Sequence, residues 1–482
     1  MTSTTLKSKA TKGMLWSALD KFAVQAGHFA IGIVLARLLM PEDFGLIGML
    51  SIFIAISQTF IDSGMGSGLI QKKDRSNHDF STVFVFNLAV SVTFYFILYF
   101  SAPLIAQFYS MPQLVMLTRV LSLNIIINSL AIVQRTKLTI NIDFKTIAKV
   151  NVASVFISGI VAVYFAYSGL GVWALVIQNL VRAAIAVLML WFLSRWAPSL
   201  VFSKESFKNL FGFGSKLLIA GLYARTLQEV YNITIGKFYQ AAELGFYTRA
   251  RSFVDITNGT ITSILQQVTY PILASLQDDR DRMVSVYSRL IRMTAFFVFP
   301  AMTLLALLAE PFVLFFLTEK WLPAVVLLQL MAFARIFYPI SALNMNILNA
   351  VGRSDLFLKV DLSKFPVIVL VLIITIPLGV KAIVIGHIVT SFISFFINSY
   401  MPGKLFGYGA LKQLRDMIPI FIATGIMAAL VYASIFLLDS NILKMLIGGF
   451  VGISSFLTVS HFMKIEEMKE VQLIFSKIAR RK

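Results

Sequence analysis

Asp20, Lys21, Gln25 and His28 stand inside one apolar stretch, residues 13–38. That stretch is long enough to cross a bilayer, where an ionisable group costs several kcal/mol unless it faces a wet cavity or a partner. Lys21, Gln25 and His28 follow the spacing i, i+4 and i+7, which stacks them on one face of a helix. The face is expected to look into the protein; a neutralised Asp20–Lys21 pair that only packs is the plainer alternative. A second stripe, Arg251, Asp255, Asn258 and Thr262, runs at i, i+4, i+7 and i+11. The two stripes are expected to line one cavity from opposite ends.

Charge gives that cavity a sign. Within apolar runs stand Lys21, Arg37, Arg119, Arg182, Lys216, Arg225, Arg249, Arg251 and Arg335, against only Asp20, Asp62, Glu229 and Asp255. Arg37, Arg119 and Lys216 are close enough to helix ends to snorkel to the headgroups. Arg182, Arg225 and Arg335 fall near mid-membrane at about 1.5 Å per residue. Glu229, four residues after Arg225, offers a structural ion pair as the competing reading there. The surplus of buried cations points to an anionic ligand, because unpaired arginines in a low dielectric need a counter-charge.

The elements that must position these groups are membrane helices. With 58% hydrophobic and 13% charged residues over 482 positions and a mean hydropathy of +0.82, the chain reads as an integral membrane protein. A net charge of +19 raises nucleic acid as a partner, but the basic residues are scattered between apolar runs, and no nucleic acid is expected. No cysteine is present, which excludes disulfides, zinc–thiolate sites and thiol catalysis. The basic opening MTSTTLKSKATKG leads into a long helix with no small-residue cleavage site and reads as an uncleaved first span.

Apolar runs predict fourteen transmembrane helices near 13–38, 44–63, 80–101, 113–135, 147–167, 171–194, 210–236, 244–273, 287–309, 323–350, 357–376, 380–400, 414–438 and 442–463. Alternate connections carry twenty-nine Lys and Arg, whereas the intervening ones carry only Lys237, Lys320, Lys381 and Lys444. By the positive-inside rule both termini are cytoplasmic.

Repetition divides the chain. Pro41-Glu42-Asp43-Phe44-Gly45 returns as Ala241-Ala242-Glu243-Leu244-Gly245, an offset of 200, and Leu170-Gly171-Val172 returns as Leu378-Gly379-Val380, an offset of 208. Both copies begin on the cytoplasmic side, as parallel repeats related by an axis along the membrane normal do. The fold class expected is an all-α polytopic membrane protein with two six-helix lobes and a C-terminal helix pair. Its parts are 1–195 (helices 1–6), 196–403 (helices 7–12), 404–464 (helices 13–14) and a basic amphipathic cytoplasmic tail, 465–482. Pro271, Pro300, Pro339 and Pro366 read as helix-interior kinks confined to the second lobe. The Gly64-Met65-Gly66-Ser67-Gly68 run lacks the spacing of a phosphate loop and reads as a flexible helix end.

The segment Leu35-Ala36-Arg37-Leu38-Leu39-Met40-Pro41-Glu42-Asp43-Phe44-Gly45, followed by Asp62-Ser63-Gly64-Met65-Gly66-Ser67-Gly68-Leu69-Ile70-Gln71-Lys72, resembles the opening of Wzx-type polysaccharide repeat-unit flippases, the colanic-acid-type branch most of all. Their superfamily also holds the MATE multidrug exporters and the lipid II flippases. The resemblance implies a V-shaped cavity in the bacterial cytoplasmic membrane. It also implies flipping of an undecaprenyl-pyrophosphate-linked oligosaccharide for exopolysaccharide, O-antigen or capsule synthesis. The family's basic cavity residues map onto Lys21, Arg249 and Arg251. Asp20, Gln25, His28, Asp255, Arg182, Arg225 and Arg335 complete the candidate substrate-binding set. No catalytic residue, metal or cofactor is expected; proton or sodium coupling, and a polymerase and co-polymerase as partners, stay open. A cation-coupled drug exporter of the same fold is the alternative, and it would want a carboxylate-rich cavity. An enzyme would want a substantial outer loop, and every outer connection is short.

Overall fold

The computed structural model describes residues 3–62, 64–199, 201–470 and 472, and every regular element among them is helical. The chain forms two compact units, Met1–Thr248 and Arg249–Lys482. The first holds α1 (Ser3–Leu38), α2 (Pro41–Asp62), α3 (Met65–Gln71), α4 (Asn77–Tyr109), α5 (Leu114–Leu121), α6 (Leu123–Ile140), α7 (Phe144–Tyr167), α8 (Val172–Ser194), α9 (Lys204–Phe238) and the opening of α10 (Ala241–Ala274). The second continues α10 and adds α11 (Arg280–Leu307), α12 (Ala309–Phe316), α13 (Leu322–Ala334), α14 (Tyr338–Ala350), α15 (Ser354–Ser363), α16 (Phe365–Thr375), α17 (Val380–Phe406), α18 (Ala410–Phe436) and α19 (Asn441–Phe462). Eleven helical stretches among the described residues are long and apolar enough to cross a membrane. Most of the 465–482 tail lies outside the described residues.

Helix starts follow local chemistry. α2 begins on Pro41, whose missing N–H is not needed there, with Glu42 and Asp43 in its first turn, where the helix dipole favours negative charge. α4 opens with a capping box: Ser76 and Asp79 each accept a hydrogen bond from the other's backbone N–H. Asp79 is fully buried and also takes the Lys72 ammonium at 2.7 Å.

Several expectations need correction. The glycine run after α2 is not a flexible end: Gly64, at φ +66°, turns the chain into α3, and Gly66 and Gly68 are helical. The span predicted at 113–135 is broken at Ser122 into α5 and α6, and α6 continues to Ile140, so Arg135 and Lys137 sit inside a helix and not in a connection. Pro339 and Pro366 are not interior kinks, since each stands in the first turn of a new helix, α14 and α16, where no N–H is required. Pro300 is interior to α11 as expected, but Pro103 is interior to α4, so kinking prolines are not confined to the second half.

Glycines set the closest helix contacts in the first unit. A Cβ on Gly45 would stand 1.7 Å from the carbonyl oxygen of Ala241, and one on Gly245 would stand 1.8 Å from that of Pro41. The first turns of α2 and α10 thus meet backbone to backbone. Gly159 lets α7 approach α1 in the same way, for a Cβ there would lie 2.1 Å from Ile31 Cδ1.

In the second unit, buried polar side chains tie α11, α14, α17 and α18 together. The Tyr287 hydroxyl donates to Asn344, and Asn344 Nδ2 donates to Ser399 Oγ at 2.8 Å and to Gln413 Oε1 at 3.2 Å. Nearby, Arg292 gathers Glu467 at 2.7 Å, Glu466 at 2.9 Å and Asp416 at 3.9 Å, and Arg289 pairs with Glu470. These contacts clamp the segment after α19 onto α11. At the start of α15, Arg353 pairs with the exposed Asp355 of its first turn at 2.9 Å.

Candidate functional site

α1 reaches its position because small residues let it lie against α7, and α7 starts on Asp143, whose carboxylate accepts from the Thr146 N–H at 3.1 Å. α8 is fixed to α6 by the Trp191 indole, which donates to the Leu130 carbonyl at 2.8 Å. These four helices enclose a cavity of about 340 Å³ lined by His28, Asn124, Asn128, Arg135, Asn151 and Arg182, with Ser154, Ala183 and Ala186 among the small residues that leave it open.

Its polar groups are wired to one another. Arg135 Nη2 donates to Asn151 Oδ1 at 3.0 Å, and Asn151 Nδ2 donates to Asp20 Oδ2 at 2.9 Å. Arg182 Nη1 lies 3.4 Å from His28 Nε2, and Asn128 Nδ2 donates to Asn124 Oδ1 at 3.1 Å. Asp20 is therefore tied through an amide to Arg135, and the simple Asp20–Lys21 pair is replaced by this longer relay. The face predicted from α1 is split. His28 lines the cavity, Gln25 is half-buried outside its lining, and Lys21 is exposed. Asn151, Asn124, Asn128 and Arg135 were missed as site residues. The apolar Leu138 and Ile140 beyond Arg135 were the available sign that α6 runs on.

The α10 stripe holds together in the second unit. Arg251 Nε donates to Asp255 Oδ2 at 3.3 Å, and Arg335 Nε stands 3.5 Å from Asp255 Oδ1. Arg335 is the residue at which α13 stops, and its freed carbonyl accepts from Asn258 Nδ2 at 2.7 Å. Thr262 donates back to Asn258 O at 2.8 Å. Two guanidiniums thus share one carboxylate. The Arg249 guanidinium lies over the Phe253 ring at 5.8 Å.

Arg225 does not pair with Glu229. It is exposed and donates to Gln228 Oε1 at 3.2 Å, while Glu229 accepts from Ser51 Oγ at 2.7 Å and Asn232 Nδ2 at 2.6 Å. Short polar donors from α2 and α9 satisfy the carboxylate where a long arginine was expected.

Residues 34–326 match the family described as "Polysaccharide biosynthesis protein". The chain is 26% identical over 352 residues to the teichuronic acid biosynthesis protein TuaB of Bacillus subtilis (strain 168), covering 71% of this chain and 72% of that one. It is 26% identical over 335 residues to the succinoglycan biosynthesis transport protein ExoT of Rhizobium meliloti (strain 1021), covering 70% and 68%. Among solved structures, the lipid II flippase MurJ in an inward closed conformation superposes with a TM-score of 0.78 at 16% identity, covering 94% of this chain and 99% of that one. At that identity the likeness is one of fold alone.

Proposed function

The chain belongs to the polysaccharide biosynthesis protein family, and from that premise we propose a flippase that moves an undecaprenyl-pyrophosphate-linked oligosaccharide across the bacterial cytoplasmic membrane by alternating access. The observation that carries the reading beyond family membership is the arginine-lined cavity of the first unit, a place for the anionic part of such a cargo. A cation-coupled drug exporter would need carboxylates there, and the cavity lining has two arginines and no acidic side chain. The name of the succinoglycan relative speaks of transport, which supports a carrier.

In this proposal the chain crosses the membrane fourteen times with both termini in the cytoplasm. α9, α10 and the α15–α16 pair then supply the three crossings beyond the eleven apolar stretches. Lys21, Arg249 and Arg251 add positive charge along the path, and Asp255 holds Arg251 beside Arg335. Export of polymer by a strain lacking its own flippase tests the reading, together with flipping of a labelled pyrophosphate-linked oligosaccharide in vesicles of the purified protein. Restored polymer and labelled lipid in the opposite leaflet are expected. Neither result with a correctly inserted protein would remove the proposal.

A further inference from the structure

We propose that the first unit by itself holds a phosphate-class anion, gripped between Arg135 of α6 and Arg182 of α8, with Asn128, Asn151 and His28 completing its surroundings. The proposal rests on the flippase reading, in which a diphosphate is the charged part of the cargo, and assigns that charge a place on four helices of one unit.

Donor chemistry carries the inference. Both guanidiniums open into the cavity, and their side-chain contacts there are neutral: an amide oxygen for Arg135 and an imidazole nitrogen for Arg182. The negative charges of Asp20 and Asp62 reach Arg135, whereas Arg182 faces the positive charge of Arg135. Two like charges facing one cavity repel, a cost that an anion between them removes. A guanidinium fork matches phosphate oxygens in pairs, which gives the contact geometry as well as charge.

Size and access agree. About 340 Å³ corresponds to roughly eleven water volumes, more than the nine heavy atoms of a diphosphate occupy. Arg135 is exposed, so the cavity is open to an incoming ligand. Arg135 lies five residues from the end of α6 at Ile140 and Arg182 lies twelve from the end of α8 at Ser194, about 8 Å and 18 Å along their helices. Because α7 crosses and α8 returns, those two ends lie on the same side. The two arginines therefore stand at different depths of one cavity, and an anion entering past Arg135 comes to rest between the two.

Free phosphates and a lipid-borne pyrophosphate share this chemistry, and the test separates them. The full chain in nanodiscs is titrated calorimetrically with inorganic pyrophosphate, then with orthophosphate, with and without undecaprenyl pyrophosphate in the bilayer. Pyrophosphate is expected to bind the parent, to lose about tenfold or more in affinity in Arg135→Gln and in Arg182→Gln, and to be unaffected by Arg353→Gln at the exposed pair with Asp355. Arg182→Lys, which keeps the charge, should retain part of the affinity and shows that the fold survives. Displacement by the lipid assigns the site to the cargo; displacement by orthophosphate alone assigns it to a free anion, and either supports the site. No binding by the parent at millimolar pyrophosphate, or equal binding by both Gln variants, overturns it. A parent that exports polymer without binding loses this site and keeps the flippase reading; one that binds without flipping does the reverse.

Discussion

Gly45 and Gly245 are two hundred residues apart in sequence, and each occupies the one position where the other's helix leaves no room for a side chain. Gly45 faces the carbonyl of Ala241 and Gly245 that of Pro41, so the contact maps onto itself when the offset of 200 is applied. The contact is thus self-complementary, with each glycine set against the backbone that opens the other's helix.

Gly45→Ala and Gly245→Ala each place a Cβ less than 2 Å from a backbone oxygen, a clash that no rotamer relieves. Each is expected to destabilise the purified protein by about 1–3 kcal/mol. Because the two positions are equivalent, their losses should be similar. Thermal melting in detergent measures both, and a variant that melts with the parent would show that the helices part freely there.

Asn151 joins Arg135 to Asp20. Asn151→Leu keeps the volume and removes both hydrogen bonds, at an expected cost of about 1–3 kcal/mol for the polar groups left unmatched. The same melting assay reads the stability change, and polymer export should fall with it because Arg135 loses its anchor. Unchanged melting and export together would mean that the relay positions nothing.

Asp255 is the carboxylate shared by Arg251 and Arg335. Asp255→Asn leaves two facing guanidiniums without it. With its side chain 43% exposed, the expected loss is about 1–2 kcal/mol, below that for a sealed pair. Removing one cation as well, in Asp255→Asn with Arg335→Gln, should recover part of that loss. A double-mutant cycle with no coupling would dissolve the cluster.

The absence of native cysteine makes the proposed topology directly readable. Asp74→Cys, Val201→Cys and Asp355→Cys should be shielded from an impermeant thiol reagent in intact cells, while Gln113→Cys, Tyr167→Cys and Asp439→Cys should react. These exposed positions avoid the hydrogen-bonded caps at Ser76 and Ser203. One reversed site would break the fourteen-crossing arrangement.

What the sequence disclosed depended on range. The helical class, the 200-residue repeat and the α10 stripe are written in local spacing, and His28 and Arg182 stood out because charge inside apolar runs is rare. Arg135 did not stand out: it lies near a helix end, where five residues of error moved it into a loop. Asn124, Asn128 and Asn151 carry no charge and gain meaning only when α6 and α7 face each other across the cavity. The stop at Arg335 was hidden for a similar reason. Pro339 signals a disturbance, but whether a proline bends a helix or begins one depends on the backbone before it, which local composition does not specify.

The clamp on Arg292 sets an order of events during synthesis. Its partner Glu466 follows it by 174 residues, which a ribosome adding about 5–20 residues per second needs roughly 9–35 s to reach. Until then the nascent second unit offers its arginine only the more distant Asp416, and only the last stretch of translation completes the cluster. A message cut short before Glu466 would release a chain with most of its helices and an open clamp, a ready substrate for membrane proteolysis.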